Sequence, residues 1–211
     1  MCADERYVIR PYRSMTPSGR IGQVKRNAFM IANGDILVEL DHDDELLPDA
    51  LEDIALAFQD DQIGFVYSDW SEVLSDGQTG RYPDGWAFGY GSDYEDEHGW
   101  VMSAPPLNRI TLGHIVSAPN HVRAWRAGVY RQLGGHDAGL RVADDYELVV
   151  RTALATKCRH IPKHLYRQHI GPWTAQRVYN DEIQQTVADI SNRYSARLDA
   201  LFDMAGHSPH M

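Results

Sequence analysis

Cysteine is scarce in this 211-residue chain: Cys2 and Cys158 are the only two, and neither lies in a C-x-x-C spacing. No disulfide framework organises such a sequence. Long apolar runs are missing as well. No stretch approaches the ~20 residues needed to span a bilayer, and no signal-peptide pattern opens the sequence. The expectation is a protein of the reducing cytoplasm with no integral membrane segment. Positive charge is in deficit, with 20 Lys and Arg against 30 Asp and Glu and a formal net charge of −10 spread along the chain. That composition argues against nucleic acid as a partner, because phosphate binding needs a basic surface. The one locally basic segment, Arg6 to Arg26, suits a small phosphorylated ligand. Internal repeats and low-complexity tracts are absent too. What is left is one domain of ordinary size, long enough to bury a core.

One stretch stands out. Ile36 to Leu40 reads as a buried strand and runs into Asp41, Asp43, Asp44 and Glu45; a helix is then predicted from Pro48. Proline suits a first helical turn, where the missing N–H has no intrahelical partner. Carboxylates gathered at the carboxyl end of such a strand sit where open α/β sheets place their ligands. They repel one another unless something positive sits among them, and a divalent cation with oxygen ligands is the usual answer. The plain alternative is a solvated acidic turn.

Along the chain, Tyr7 to Arg10 is a strand candidate, followed by a turn-rich loop from Pro11 to Gly19. Ile21, Val24, Ala28, Ile31 and Ala32 recur at helical spacing, and Gly34 closes that helix. Leu47, Leu51, Ile54 and Phe58 mark the next one. Ile63 to Ser68 reads as a strand ending at Asp69, so that strand, helix and strand predict a parallel βαβ unit. Ser75 to Gly80 is a turn. Tyr82 to Trp100, aromatic, acidic and glycine-rich, has no period and reads as a long surface loop. Its Trp86, Phe88, Tyr90, Tyr94 and Trp100 either stack on a sugar ring or staple the loop to the body.

Further on, a strand is predicted around His121 to Trp125 and a short helix over Ala127 to Leu133, stopped by Gly134-Gly135. Asp144 to Ala155 is the best-patterned helix, with Asp144 and Glu147 at capping-box spacing. Cys158 to Ile161 and Tyr166 to Ile170 read as two short extended pieces. Asn180 opens a long terminal helix whose apolar face is Ile183, Val187, Ile190, Tyr194, Leu198 and Leu201. The whole is read as one domain, residues 1–175 forming its core and 176–211 a C-terminal helix and tail.

Three segments together resemble family 2 glycosyltransferases of the GT-A fold. The first runs from Lys25-Arg26-Asn27-Ala28 through Ala32-Asn33-Gly34-Asp35 to Leu40-Asp41-His42-Asp43-Asp44. The second is Trp125-Arg126 through Leu133-Gly134-Gly135-His136-Asp137. The third is Ala143-Asp144-Asp145-Tyr146-Glu147-Leu148 with Arg151, then His160-Ile161-Pro162-Lys163 and Leu165-Tyr166-Arg167. The likeness covers roughly residues 6 to 170 and lies in the order and spacing of all three.

The resemblance implies an α/β three-layer sandwich with a mixed, mostly parallel sheet. It implies inverting transfer of a sugar from a nucleoside diphosphate sugar to a hydroxyl acceptor, assisted by Mn²⁺ or Mg²⁺. By the same resemblance Asp41 faces the ribose or the metal, Asp43 holds the metal, and His169 is a third ligand. Arg20, Lys25 and His42 join them at the donor, and Asp44 supports from behind. Asp145 is the general base that deprotonates the acceptor. Asp144 has the bland role of helix N-cap beside a place in the groove, which Trp70, Asn120, His121 and Arg126 also line.

The family opens with a strand, a helix and a strand that build the nucleoside pocket, whereas the strand at Tyr7 resembles the family's third. The base-binding half is therefore expected to be absent or supplied by other residues, a second copy or a partner chain. Two rival readings stand beside the enzyme. One is a sugar-binding or partner-completed module without activity. The other is a haloacid dehalogenase-type phosphatase with Asp41 as nucleophile, for which Glu45 stands where Thr or Val is usual.

Overall fold

A computed structural model describes residues 11, 13, 19–172 and 174–204. The strand expected at Tyr7 to Arg10 and most of the loop after it lie outside the described residues. In chain order the elements are α1 (Ile21–Ile31), β1 (Ile36–Glu39), β2 (Glu45–Leu46), α2 (Ala50–Ala57) and β3 (Ile63–Leu74). A 3-10 turn (Ala87–Gly89), β4 (Ser92–Asp96), β5 (Gly99–Ser103), α3 (Arg109–His114) and β6 (Arg123–Arg126) follow. The chain continues with α4 (Ala127–Gln132), α5 (Asp144–Ala153), β7 (Lys157–Ile170), α6 (Ala175–Val178) and α7 (Asn180–Met204).

The sheet is mixed, in the order β1-β6-β3-β5-β4, with β7 on β3 and β2 on β7. β1 and β3 run the same way, as the βαβ pattern predicts, but β6 is inserted antiparallel between them. Only β3 and β7 are parallel neighbours among the described strands, so the expectation of mostly parallel pairing is corrected. The apolar period of α7 does its predicted work, but that of α1 is corrected: Ile21, Val24 and Ile31 of the expected face are exposed, and Gly22 and Phe29 turn inward. Phe29 of α1 stacks on Tyr130 at 4.8 Å and meets Trp125 edge-on at 5.8 Å. Ile183, Val187, Ile190, Tyr194 and Leu198 bury the inner face of α7.

Three elements depart from the sequence reading. β3 does not stop at Asp69, because this carboxylate is buried and fully partnered: it accepts from the Ala104 amide (2.8 Å) and the Tyr94 hydroxyl (3.2 Å) and meets His160 Nε2 (2.7 Å). β7 is one strand rather than two. Its interruption at Pro162 is absorbed as register shifts around Asp69, where the partner of Ser68 is Ile161 and that of Asp69 is His164; proline has no N–H for the ladder. Residues 92–103 form a hairpin, not an irregular loop, with Gly99 at φ 106 beyond the Glu97-His98 tip.

A clasp holds the hairpin to β7. His164 Nδ1 lies 2.8 Å from Asp96 Oδ2, and its Nε2 lies 2.9 Å from Ser71 Oγ. The order Asp-His-Ser has the look of a hydrolase triad, but Ser71 is fully buried and no substrate reaches it.

Candidate active site

A cleft of about 600 Å³ opens where β1 ends, β6 begins and α5 starts, with the far end of β7 along one side. Its floor follows from strand register. Glu39 and Arg123 are cross-strand partners. The guanidinium clamps the carboxylate, Nε to Oε2 and Nη2 to Oε1, both at 3.0 Å. Lys25 of α1 donates to the same Glu39 and lies 3.0 Å from Asp41 Oδ1. Arg123 then extends Nη1 to Asp145 Oδ2 at 2.8 Å. Buried charges persist only when paired, and here two cations share one buried anion while each reaches a carboxylate of the cleft.

The electrostatics follow the same pattern. Burial would raise Glu39, yet Arg123 and Lys25 hold it well below the usual carboxylate range. Burial likewise works against ionised Asp145, and the same two cations outweigh it and keep its pKa low. Asp145 is nevertheless 30% accessible, so the ionised oxygen faces the cleft.

Asp144 behaves differently, and its expected role as N-cap is corrected. The capping position belongs to Ala143, at φ 56, which leaves Asp144 inside the first turn with no capping bond. Glu147, its expected capping-box partner, is ion-paired to Arg151 at 2.6 Å and accepts from Tyr194 Oη at 2.6 Å. Asp144 is buried, its Oδ2 has no hydrogen-bond partner, and burial together with the Asp145 charge pushes its pKa up to about 7. Its carboxyl rests against α1 at Gly22, where a Cβ would stand 2.7 Å from Asp144 Cγ. Only glycine allows the two helices to approach so closely there.

A second group faces this one. Ligand-type atoms of Asp41, Asp44 and His121 lie within 4.8 Å of one another. Tyr166 organises them: its hydroxyl donates to Asp44 Oδ2 (2.7 Å) and accepts from the Asp41 amide (3.2 Å). The His169 amide donates to Asp44 Oδ1 at 2.8 Å. The His121 ring stacks on Tyr166 at 4.4 Å. Burial and then Arg123 push its pKa far down, so this imidazole is neutral, and its Nδ1 is buried without a partner. Burial lifts the pKa of Asp44, with Asp41 and Asp43 adding to the rise against the two hydrogen bonds.

The remaining sequence-predicted residues divide. His42, Asp43, Asn120 and His169 line the cleft. Asp43 and His42 sit exposed at its mouth, 3.6 Å apart, while the His169 ring turns to Glu45 at 3.4 Å. Asn120 donates to Gln168 Oε1 at 2.8 Å. Arg20 donates to the Ala138 carbonyl at 3.0 Å. Trp70 and Arg126 are corrections. Trp70 is completely buried against Trp86, and Arg126 spends its guanidinium on the carbonyls of Phe58, Asp60 and Ile63. Glu39, Arg123 and the hydroxyl of Tyr166 were missed. For Glu39 the available signal was the one charge in an apolar strand, and for Arg123 one of two arginines in its short strand, since buried charges call for partners.

The mixed sheet with helices on its faces and a long C-terminal helix define a GT-A-like glycosyltransferase fold. Among solved structures, TarS of S. aureus in complex with UDP matches with a TM-score of 0.57 at 15% identity, over 90% of this chain and 51% of that one. TarS in complex with UDP-GlcNAc gives 0.56 at 15% identity, over 92% and 57%. At such identity the likeness is one of fold. No protein-family profile matches the chain. In sequence it is 27% identical over 183 residues to the uncharacterized protein y4gI of Sinorhizobium fredii, covering 80% of this chain and 18% of that protein. The chain thus spans about half the length of the solved relatives and under a fifth of the sequence relative. No helix among the described residues is long and apolar enough to cross a membrane.

Proposed function

We propose that this chain is a glycosyltransferase that moves a sugar from a nucleoside diphosphate sugar to a hydroxyl acceptor with inversion. The observation that carries this reading is Asp145, a cleft carboxylate kept ionised by Arg123 and facing a second group of Asp41, Asp44 and His121. A fold shared with structures holding UDP and UDP-GlcNAc supports it.

Charge decides how a diphosphate enters. Asp41, Asp43, Asp44, Asp144 and Asp145 line the cleft against Lys25, Arg123 and Arg141, and the two buried-side cations are already engaged. An anion is repelled unless a cation accompanies it. Two carboxylates with a neutral imidazole whose second nitrogen is unpartnered suit Mn²⁺ or Mg²⁺. The geometry favours Asp41, Asp44 and His121 for this task over the Asp43 and His169 side chains. Bound there, the ion supplies Lewis-acid relief of charge on the departing diphosphate.

The protein's own part is proton transfer and positioning. Asp145 accepts the acceptor hydroxyl proton as that oxygen attacks the anomeric carbon opposite the diphosphate. Arg123 holds the carboxylate oriented and ionised near neutral pH, at some cost to its basicity. Asp145→Asn is nearly isosteric, so turnover should fall by ~10²–10⁴-fold while donor affinity persists. Calorimetry with UDP and UDP-GlcNAc in Mn²⁺, then turnover of both proteins, tests this. Unchanged turnover would move the base elsewhere.

A further inference from the structure

The aromatic residues between Tyr82 and Trp100 fall into two sets. Trp86 packs against Trp70 at 5.9 Å and Tyr82 at 4.8 Å. Tyr94 is tied to Asp69, and Trp100 lies under the Arg81 guanidinium at 4.0 Å. These three fasten the segment to the body. Phe88 and Tyr90 do not: they are 67% and 42% exposed.

The backbone displays Phe88 rather than merely leaving it out. Ala87 and Phe88 have φ of 55 and 57, a left-handed conformation that non-glycine residues adopt at a cost and that gathers at functional sites. The turn closes over Trp86, where a Cβ at Gly91 would stand 2.1 Å from the indole. An alanine at that position would not fit. The Phe88 ring meets His114, the last residue of α3, at 5.8 Å. Two and three residues further on, Val116 and Ser117 line the cleft. A flat apolar ring is therefore held out by a turn anchored from beneath, against the end of the helix whose following residues enter the cleft wall. Its face matches the C–H face of a pyranose, the neighbouring His114 imidazole offers a hydrogen bond to a hydroxyl, and Tyr90 is a second exposed ring two residues along the same turn.

We propose that Phe88, with Tyr90 and His114, forms a carbohydrate subsite that holds a ring of an oligosaccharide acceptor beside the cleft, away from the reacting hydroxyl. Its place in a reaction rests on the glycosyl-transfer reading; its affinity for sugar does not.

Saturation-transfer NMR on the full chain with cellotriose, chitotriose and mannotriose tests this, alongside UDP calorimetry. At least one trisaccharide should receive saturation on its ring C–H protons. Phe88→Ala should weaken that binding about 10-fold, and Phe88→Tyr should restore it. UDP affinity should not change in either variant. Binding of none of the three sugars, or equal binding to Phe88→Ala, overturns the subsite. So does a Phe88→Ala change that alters only oligomeric mass. UDP binding without sugar binding would leave the transferase reading standing, and Phe88-dependent sugar binding without UDP binding would leave only the subsite.

Discussion

The two walls of the cleft are built on opposite principles. On one, Lys25, Glu39, Arg123 and Asp145 form a chain of ion pairs in which each charge has an opposite within reach. On the other, Asp41, Asp44 and His121 are held by a phenol, backbone amides and ring stacking. Lys25 touches the second wall only at Asp41. The first wall is electrostatically complete and rigid, and a ligand finds it already set. The second keeps carboxylate lone pairs and an imidazole nitrogen unneutralised, so its balance depends on what binds.

If that contrast is right, removing a charge from the first wall should be the most damaging change. Arg123→Met leaves Glu39 buried with only Lys25, and breaking such a pair typically costs ~3–5 kcal/mol. The melting temperature should drop by about 10 °C. Arg123→Met/Glu39→Met should recover only the part due to Glu39, because Lys25 keeps Asp41 as a partner while Asp145 still loses Arg123. A single variant that melts like the parent would show that the clamp is not what fixes this wall.

The second wall should respond to cations instead. Mn²⁺ at about 100 times its dissociation constant should stabilise the parent by roughly 2.7 kcal/mol. Asp44→Asn or His121→Gln should abolish that gain, and Asp43→Asn should keep it. The reverse result in a thermal-shift titration would return the ligand role to Asp43.

The smallest effect sharpens the boundary between the walls. Asp144 has a folded pKa of about 7 against an ordinary 3.8. Between those values the folded state binds more protons than the unfolded, so this group's contribution favours folding at low pH and is lost as pH rises to 7. Asp144→Asn should flatten that dependence and leave the variant more stable than the parent at pH 8, by at least about 1 kcal/mol. Urea unfolding at pH 5 and pH 8 reads the difference; parallel pH profiles would mean that Asp144 is ionised at no cost.

Much of this was legible in the sequence because it is periodic or local. The helix at Asn180 and the strand into Asp41 show their faces within a few residues, whereas the helix at Ile21 was legible as a helix but buries Gly22 and Phe29 rather than the Ile21 and Val24 stripe. The cleft partners were less so. Glu39 and Arg123 are 84 residues apart, and each reads alone as a charge in a short strand. The hairpin hid because Ser92–Asp96 is acidic and poor in strand formers, and is held by pairing to β5 rather than by its own propensity. Asp144 and Asp145 look equivalent as letters. The positive φ of Ala143 sets where the first turn begins, and tertiary burial against Gly22 separates their chemistry.

The pairing of β3 with β7 has a consequence for how the molecule assembles. Ile63 pairs with Lys157 and Leu74 with Ile170, a parallel match across a long stretch of intervening chain. Such non-local closure is slow, since loop entropy is lost before contacts compensate it. Asp44 takes both its hydrogen bonds from this late-arriving strand, at separations of 122 and 125 residues. The acidic cluster, near the start of the chain, therefore acquires its geometry only after β7 has docked. Completion of the sheet and the geometry of the site are in this way coupled.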